Sequence, residues 1–175
     1  LVSHLKQTGQ FDNTVFVFLS DNGAEGADYA DARLWLATQY TQDMDRLGGQ
    51  GAYVFTGPSW ASASVSPLNT YKFYAGEGGL RVPMVIAGVK GDQPRRIVQS
   101  LTHVTDIVPT LLDVAGVSHP GSHYRGQSVE AMAGRSLLPV IRGETDAVRG
   151  PQDTLGHELS GNQALFKGDL KLVKN

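Results

Sequence analysis

The sequence predicts an α/β fold that ends in a small antiparallel sheet. Residues 13–19 (NTVFVFL) are mainly β-branched and aromatic without alternation, which is typical of a strand buried on both faces in a parallel sheet. Residues 102–115 place apolar side chains at helical spacing, and Gly116 directly after them predicts the end of a helix. Residues 155–159 and 164–173 predict two antiparallel strands joined by a Ser-Gly-Asn turn.

The first half of the chain adds one helix and a long segment without clear pattern. Residues 2–6 predict the last turns of a helix that Gly9 closes. Within residues 23–71, the stretch 31–47 is weakly helical and the stretch 58–67 is rich in Ser, Ala and Pro. A connection of this length without regular structure usually has a function when it is ordered.

The second half contains a further strand and the best-defined helix. Residues 80–89 predict a strand in which Pro83 indicates an edge position or a late start. The helix has Pro109 in its first turn, with Thr105 or Asp106 as the N-cap. Its apolar stripe is predicted to be core and consists of Val104, Ile107, Val108, Leu111, Leu112 and Ala115.

Shorter features follow this helix. Residues 119–134 form a loop rich in Gly, Ser and His, and residues 136–141 predict a short apolar turn or helix. A shift in composition over residues 144–153 indicates a subdomain boundary.

Composition excludes several classes of function. The 175-residue chain has a formal net charge of −2, which argues against a nucleic-acid surface, because such surfaces need a basic patch. The longest run without a polar side chain, residues 82–89, is far shorter than the roughly 20 residues that span a bilayer. The absence of cysteine excludes disulfides, Cys-ligated metals and a cysteine nucleophile within this chain. No compartment is indicated.

Several catalytic motifs are absent. The glycine clusters do not fit the dinucleotide or Walker A fingerprints, and the histidines lack metalloprotease spacing. His103 precedes the predicted helix and is interpreted as a hydrogen-bonded structural residue rather than a base. His119 and His123 lie in a loop, where lining a cleft and simple solvation are both open. Ser64 and Ser66 lack the context of a nucleophile elbow.

Asp21 and Asn22 directly follow the predicted buried strand. Open α/β sheets bind ligands at this carboxyl edge, and carboxylate and amide oxygens are hard ligands suited to calcium or magnesium. The triplet Asp21-Asn22-Gly23 is also a common turn sequence, and local sequence alone favours that plainer interpretation.

Lys72 lies between two aromatic residues and five residues before a Glu-Gly-Gly turn. Its ammonium could contact an anion such as a sulfate or phosphate. Local sequence alone favours an ordinary surface lysine whose apolar stem covers its neighbours.

Taken together and in order, these segments resemble the sulfatase family, and the similarity extends over nearly the whole chain. The stretch NTVFVFLSDNGAEG resembles the second metal-binding segment, and TYKFYAGEGGLRVPMVIAG resembles the lysine segment. HVTDIVPTLLDVAGV is similar to the helix that follows, and HELSGNQALFKGDLKLV to the hairpin that opens the small C-terminal subdomain. The stretches YVFTGPSWASASVSPLNTYK and HPGSHYRGQSV are most similar to bacterial arylsulfatases.

The resemblance implies a fold and a chemistry. The fold is an alkaline-phosphatase-like mixed sheet sandwiched by helices, followed by a small antiparallel C-terminal subdomain. Asp21 and Asn22 match the residues that help to hold Ca²⁺, with Mg²⁺ as a possible substitute, and Lys72 matches the lysine that contacts the sulfate group. The nucleophile of the family is a formylglycine made from a Cys or Ser in a C/S-x-P-x-R motif.

That motif and the paired early aspartates of the family are absent from this chain. We therefore expect residues 1–148 to be the C-terminal part of a catalytic α/β domain and residues 149–175 to be the first hairpin of the small subdomain. The missing N-terminal half of the parent polypeptide would carry the nucleophile, so the chain alone is expected to be inactive. The implied substrate is a small-molecule sulfate ester, without nucleic-acid or membrane partners. The alternatives are a phosphonate monoester hydrolase or phosphodiesterase of the same superfamily, and a catalytically dead binding module.

Overall fold

A computed structural model describes residues 1–41, 43–91 and 96–174 of the chain. None of its helices, within these residues, is long and apolar enough to cross a membrane. The helices of these ranges are α1 (Val2–Gln7), α2 (Arg33–Gln39), α3 (Gly57–Val65), α4 (Glu77–Leu80), α5 (Ile107–Ala115) and α6 (Leu138–Ile141). The strands are β1 (Phe16–Leu19), β2 (Met84–Ala87), β3 (His123–Tyr124), β4 (Gln127–Ser128), β5 (Thr154–Leu159), β6 (Asn162–Lys167) and β7 (Leu170–Lys174).

The chain divides into two compact units. Unit 1 contains residues 1–19 and 84–153, and unit 2 contains residues 20–83 and 154–175. The division predicted from the sequence, between residues 148 and 149, stays a prediction.

Strands β1 and β2 of unit 1 pair antiparallel, with Phe16 opposite Ala87 and Leu19 opposite Met84. The prediction of a strand buried on both faces of a parallel sheet is wrong for this unit, because β1 pairs with a single antiparallel strand among the described residues and the side chain of Phe18 is 73% exposed. The opposite face, which carries Val17, packs toward α5 across an apolar gap too small for a ligand.

Both strands are shorter than the sequence pattern predicts. A 3₁₀ turn over Phe11–Asn13 precedes β1, so the strand begins at Phe16 rather than at residue 13. Strand β2 begins directly after Pro83, which confirms the late start that this proline indicated.

Helix α5 has one of the two predicted N-caps, Asp106, and it ends as predicted. A 3₁₀ turn over Val104–Asp106 leads into it, Asp106 is its N-cap, and Gly116 ends it with a φ of 66°. The predicted core stripe is wrong in part, because Val104, Val108 and Leu111 are exposed. The buried residues of the helix are Pro109 and Thr110.

Asp106 is the polar centre of unit 1. Its side chain is fully buried, and both of its oxygens accept hydrogen bonds of 2.7 Å from the guanidinium of Arg149. The backbone N–H groups of His103 and Arg135 donate to the same carboxylate at 2.8 Å each. Burial alone would raise the pKa of Asp106, but the hydrogen bonds from Arg149 and from these N–H groups outweigh it and lower the pKa.

The rest of unit 1 includes two short elements. The predicted loop over residues 119–134 contains a short hairpin, in which the two-residue strands β3 and β4 pair antiparallel. Helix α6 lies within the stretch 136–141 that was predicted to form a short apolar turn or helix.

In unit 2, the Ser/Ala/Pro stretch 58–67 was predicted to be irregular, but it forms most of helix α3. Pro58 lies in the first turn, where a missing N–H costs no hydrogen bond, so the proline starts this helix rather than breaking it. The weakly helical stretch 31–47 holds α2 and a 3₁₀ turn over Met44–Arg46, and its residue Gln42 lies outside the described residues.

Strands β5, β6 and β7 form one antiparallel sheet in the order β5-β6-β7. The run 164–173 was predicted as a single strand, but a turn at Gly168 divides it into the end of β6 and most of β7. Lys171 on β7 bonds Glu77 of α4 at 2.5 Å, with its ammonium 4.8 Å from the ring centroid of Phe166. This contact ties the sheet to α4, the helix on which the site described next depends.

Candidate functional site

Two segments of unit 2 approach each other at glycines. The N–H of Gly23 donates to the carbonyl of Gly79 at 3.0 Å, and a Cβ added to Gly23 would overlap the carbonyl oxygen of Gly78. A Cβ added to Gly26 would overlap the ring of Tyr71. Neither contact leaves room for a side chain at these glycines. The segment that follows Asp21-Asn22 therefore lies directly against the segment that contains Tyr71 and the Glu-Gly-Gly turn.

Lys72 is attached to the first segment through both its backbone and its side chain. Its N–H donates to the carbonyl of Ala24 at 3.1 Å, and its Nζ lies 2.7 Å from Oε2 of Glu25. The other oxygen of Glu25 accepts from the N–H of Ala27 at 2.9 Å. The side chains of Lys72 and Glu25 are 34% and 41% exposed, so the pair borders solvent.

The backbone around Lys72 is strained. Thr70 has a φ of 61° and Phe73 a φ of 80°, a left-handed conformation that is uncommon for residues other than glycine. Such conformations persist only where surrounding contacts enforce them, and they cluster at functional sites.

The electrostatics of this pair keep both groups charged. The hydrogen bond from Lys72 and the N–H of Ala27 lower the pKa of the Glu25 carboxyl. In turn, Glu25 raises the pKa of the Lys72 ammonium, and the charge of Asp21 acts in the same direction.

The three residues singled out from the sequence lie around one cleft. A cleft of about 630 Å³ is lined by side chains that include Asp21, Asn22 and Lys72, together with Glu25 and Arg81. Lys72 is about 50 residues away from the Asp-Asn pair in the sequence, so only the fold brings them to one place. Their individual roles stay predictions.

The side-chain oxygens of Asp21 and Asn22 are ligands that suit a hard cation, but two side chains are too few to complete its coordination sphere. Among the described residues, neither side chain is engaged in a hydrogen bond or an ion pair, so their oxygens are available to a ligand. The same part of the chain contains no cluster of three or more His, Cys, Asp or Glu side chains that could hold a metal. Because Ca²⁺ takes about six to eight oxygens, these residues can supply only part of a coordination sphere.

The other candidate residues do not form a catalytic group. Ser64 lines the cleft, but its hydroxyl donates to the carbonyl of Trp60, and the hydroxyl of Ser66 donates to the carbonyl of Ser62. His103 caps the 3₁₀ turn before α5 by accepting from the N–H of Thr105, so it has the structural role predicted for it. The remaining two loop histidines, His119 and His123, belong to unit 1 and not to the cleft.

Comparison with known proteins identifies the family. Residues 1–117 match the sequence profile described as Sulfatase. The chain belongs to the sulfatase family. An uncharacterized sulfatase of Schizosaccharomyces pombe is 33% identical over 179 residues, which cover 99% of this chain and 32% of that protein. An arylsulfatase of Klebsiella aerogenes is 35% identical over 143 residues, which cover 80% of this chain and 31% of that protein.

The crystal structure of Ps i-CgsB in complex with k-i-k-neocarrahexaose is similar to this sulfatase chain in fold. The match has a TM-score of 0.56 at 23% identity and covers all of this chain and 30% of that one. It supports the mixed α/β fold class, here with small antiparallel sheets. The chain spans about a third of the length of the two curated relatives above.

Sequence reasoning missed Glu25 as a residue of the site. Glu25 lies 47 positions from Lys72, and no local spacing rule connects residues so far apart. The only available signal was indirect, because the glycines on both sides of Glu25 allow a close approach of another segment.

Proposed function

We propose that this chain is the C-terminal part of an arylsulfatase, a sulfuric ester hydrolase that acts on small-molecule sulfate esters. The proposal is carried by one observation: in a chain of the sulfatase family, the lysine and the Asp-Asn pair that match the family's site segments line a single cleft. The sheet of β1 and β2 would then be one part of a larger alkaline-phosphatase-like sheet.

Lys72 would bind the sulfate group and the leaving oxygen. A fixed ammonium stabilises the negative charge that grows on these oxygens as the sulfur–oxygen bond breaks. The raised pKa of Lys72 supports this role, because the group stays protonated and can donate throughout the neutral range.

Asp21 and Asn22 would supply two ligands of a divalent cation, with calcium the expected ion and magnesium a substitute. When bound, such an ion supplies Lewis-acid neutralisation of the sulfate oxygens. The remaining ligands and the formylglycine nucleophile would come from parts of the protein other than this chain, because the chain has no C/S-x-P-x-R motif.

The full-length protein that carries this chain tests the proposal. We expect it to hydrolyse an aryl sulfate much faster than the matched aryl phosphonate monoester, measured as kcat/KM on both substrates. A preference for the phosphonate would favour the phosphonate hydrolase alternative instead. No turnover of either ester, together with no C/S-x-P-x-R motif in the full sequence, would leave the binding-module alternative.

A further inference from the structure

The carboxylate of Glu25 is fixed from two sides. Its Oε2 accepts from Nζ of Lys72 at 2.7 Å, and its Oε1 accepts from the N–H of Ala27 at 2.9 Å. We propose that Glu25 is a positioning residue that holds the Lys72 ammonium at the cleft wall, in the orientation that contacts the substrate's sulfate group. The inference rests on the proposed function, in which Lys72 is the sulfate-binding group.

Lys72 is held more firmly than an ordinary surface lysine. Its backbone N–H bonds Ala24 while its ammonium bonds Glu25, so two successive residues of one segment fix both ends of the lysine. The left-handed backbone at Thr70 and Phe73 restricts the lysine from either side. A lysine side chain is otherwise flexible, and this freedom would be lost each time a substrate bound.

The geometry leaves Lys72 able to bind an anion. An ammonium has three N–H donors, and Glu25 takes one of them, which leaves two for sulfate oxygens. The charged and titratable groups whose field reaches Lys72 are Glu25, Asp21 and Tyr53, and Arg81 lines the same cleft.

The negative charge of Glu25 has two opposing effects on catalysis. It repels an anionic substrate in the ground state, and it keeps Lys72 aimed at the charge that develops in the transition state. Removal of this charge should therefore lower kcat without raising KM. A residue that only stabilised the fold would not produce this split.

A double-mutant cycle in the full-length protein tests the positioning role. We expect Glu25→Gln to lower kcat about tenfold, with KM unchanged or reduced, because one charge-assisted hydrogen bond is weakened. In a Lys72→Ala background the same substitution should have little further effect, since nothing remains to be positioned. Glu158→Gln removes one exposed carboxylate elsewhere in unit 2 and should leave kcat unchanged.

Two results would overturn the inference. One is a wild-type kcat in Glu25→Gln, and the other is an equal loss of kcat in the presence and absence of Lys72. If Glu25→Gln does not fold, Glu25→Asp keeps the charge but shortens the reach, and it should give an intermediate kcat. A wild-type kcat in Glu25→Asp would then contradict the role.

A spectroscopic measurement separates this inference from the proposed function. In reductively ¹³C-methylated full-length protein, the Lys72 signal is assigned by its loss in Lys72→Arg and is followed by NMR as the pH rises. We expect Glu25→Gln to shift the midpoint of this signal to lower pH, since Glu25 raises the pKa of Lys72. An unchanged midpoint would refute the contact even in a protein without sulfatase activity. A shifted midpoint without activity would instead refute only the proposed function.

Discussion

Gly23 shows how a single residue assembles the site. Its φ is not positive, so its backbone conformation does not require glycine. Glycine is needed at this position because a side chain would overlap the carbonyl of Gly78, while the N–H bonds the carbonyl of Gly79. Local sequence favoured a turn for the Asp21-Asn22-Gly23 triplet. A turn there is compatible with a site, since Gly23 makes the close contact with Gly78 and Gly79. Lys72 and Glu25 then depend on the same approach of the two segments.

Substitution of Gly23 by Ala should disrupt this approach. The added Cβ overlaps backbone that cannot move away cheaply, so we expect a loss of about 1–3 kcal/mol in the free energy of unfolding and a lower turnover. Gly156→Ala is the matched control, because a Cβ there meets no atom within 4 Å. Thermal unfolding and turnover of the full-length variants measure both effects. Equal stability of the two variants would show that the contact is not as close as described.

For the helices and strands, the hydrophobic pattern predicted which elements form better than it predicted which of their side chains are buried. Helix α5 and strands β1 and β2 were expected, and the two strands start later than their patterns predict because a 3₁₀ turn precedes β1 and Pro83 precedes β2. The burial of α5 was predicted poorly, because the pattern marks apolar side chains but does not register a buried ion pair such as Asp106–Arg149. Helix α3 was missed because its small polar residues carry little periodic signal.

Asp106 should be a main determinant of the stability of unit 1. Asp106→Asn leaves the buried guanidinium of Arg149 without a counter-charge, and loss of one partner of such a pair costs about 3–5 kcal/mol. Asp113→Asn, at an exposed position on α5, is the control. Urea unfolding at neutral pH measures the difference between the variants. A cost below about 1 kcal/mol would contradict the role of this pair.

The same ion pair should make stability depend on pH. The pKa of Asp106 is lower in the folded protein than the ordinary carboxyl value, so its contribution is complete above that ordinary value. The contribution is lost as the pH falls through the lower folded pKa, when the carboxylate is protonated. We therefore expect the stability gap between wild type and Asp106→Asn to narrow on acidification, and a constant gap in urea unfolding down to strongly acidic pH would argue against it.

At the level of the whole chain, the candidate site joins residues that are far apart in the sequence, because Asp21, Asn22 and Lys72 line one cleft. The family could be recognised from ordered segments of the sequence, because these segments carry both core pattern and site residues. The antiparallel pairing of β1 could not be derived, because its hydrophobic pattern does not identify the partner strand. A full set of metal ligands could not be named either, because the described residues contain no cluster of three or more His, Cys, Asp or Glu side chains that could hold a metal. The sequence predicts Asp21 and Asn22 as oxygen ligands of a hard cation, but it does not predict which other ligands would complete the coordination sphere.

Calcium binding tests the role proposed for Asp21 and Asn22. With only the side chains of Asp21 and Asn22 as ligands, the chain by itself should bind Ca²⁺ more weakly than micromolar, since water must complete a coordination sphere of about six to eight oxygens. The full-length protein should bind it more tightly, and Asp21→Ala should weaken that binding while the exposed Asp12→Ala should not. Isothermal titration calorimetry compares the four proteins. Micromolar affinity in the isolated chain would show that it holds a complete site.

The sulfate-binding role of Lys72 is tested most directly by the turnover of an aryl sulfate by the full-length protein with Lys72 replaced by Ala. Loss of one donor to a developing charge typically costs a few kcal/mol of barrier, so we expect kcat to fall about a hundredfold or more. Lys167→Ala, at an exposed position on β6, should retain wild-type kcat. A near-normal kcat in Lys72→Ala would contradict the sulfate-binding role proposed for Lys72.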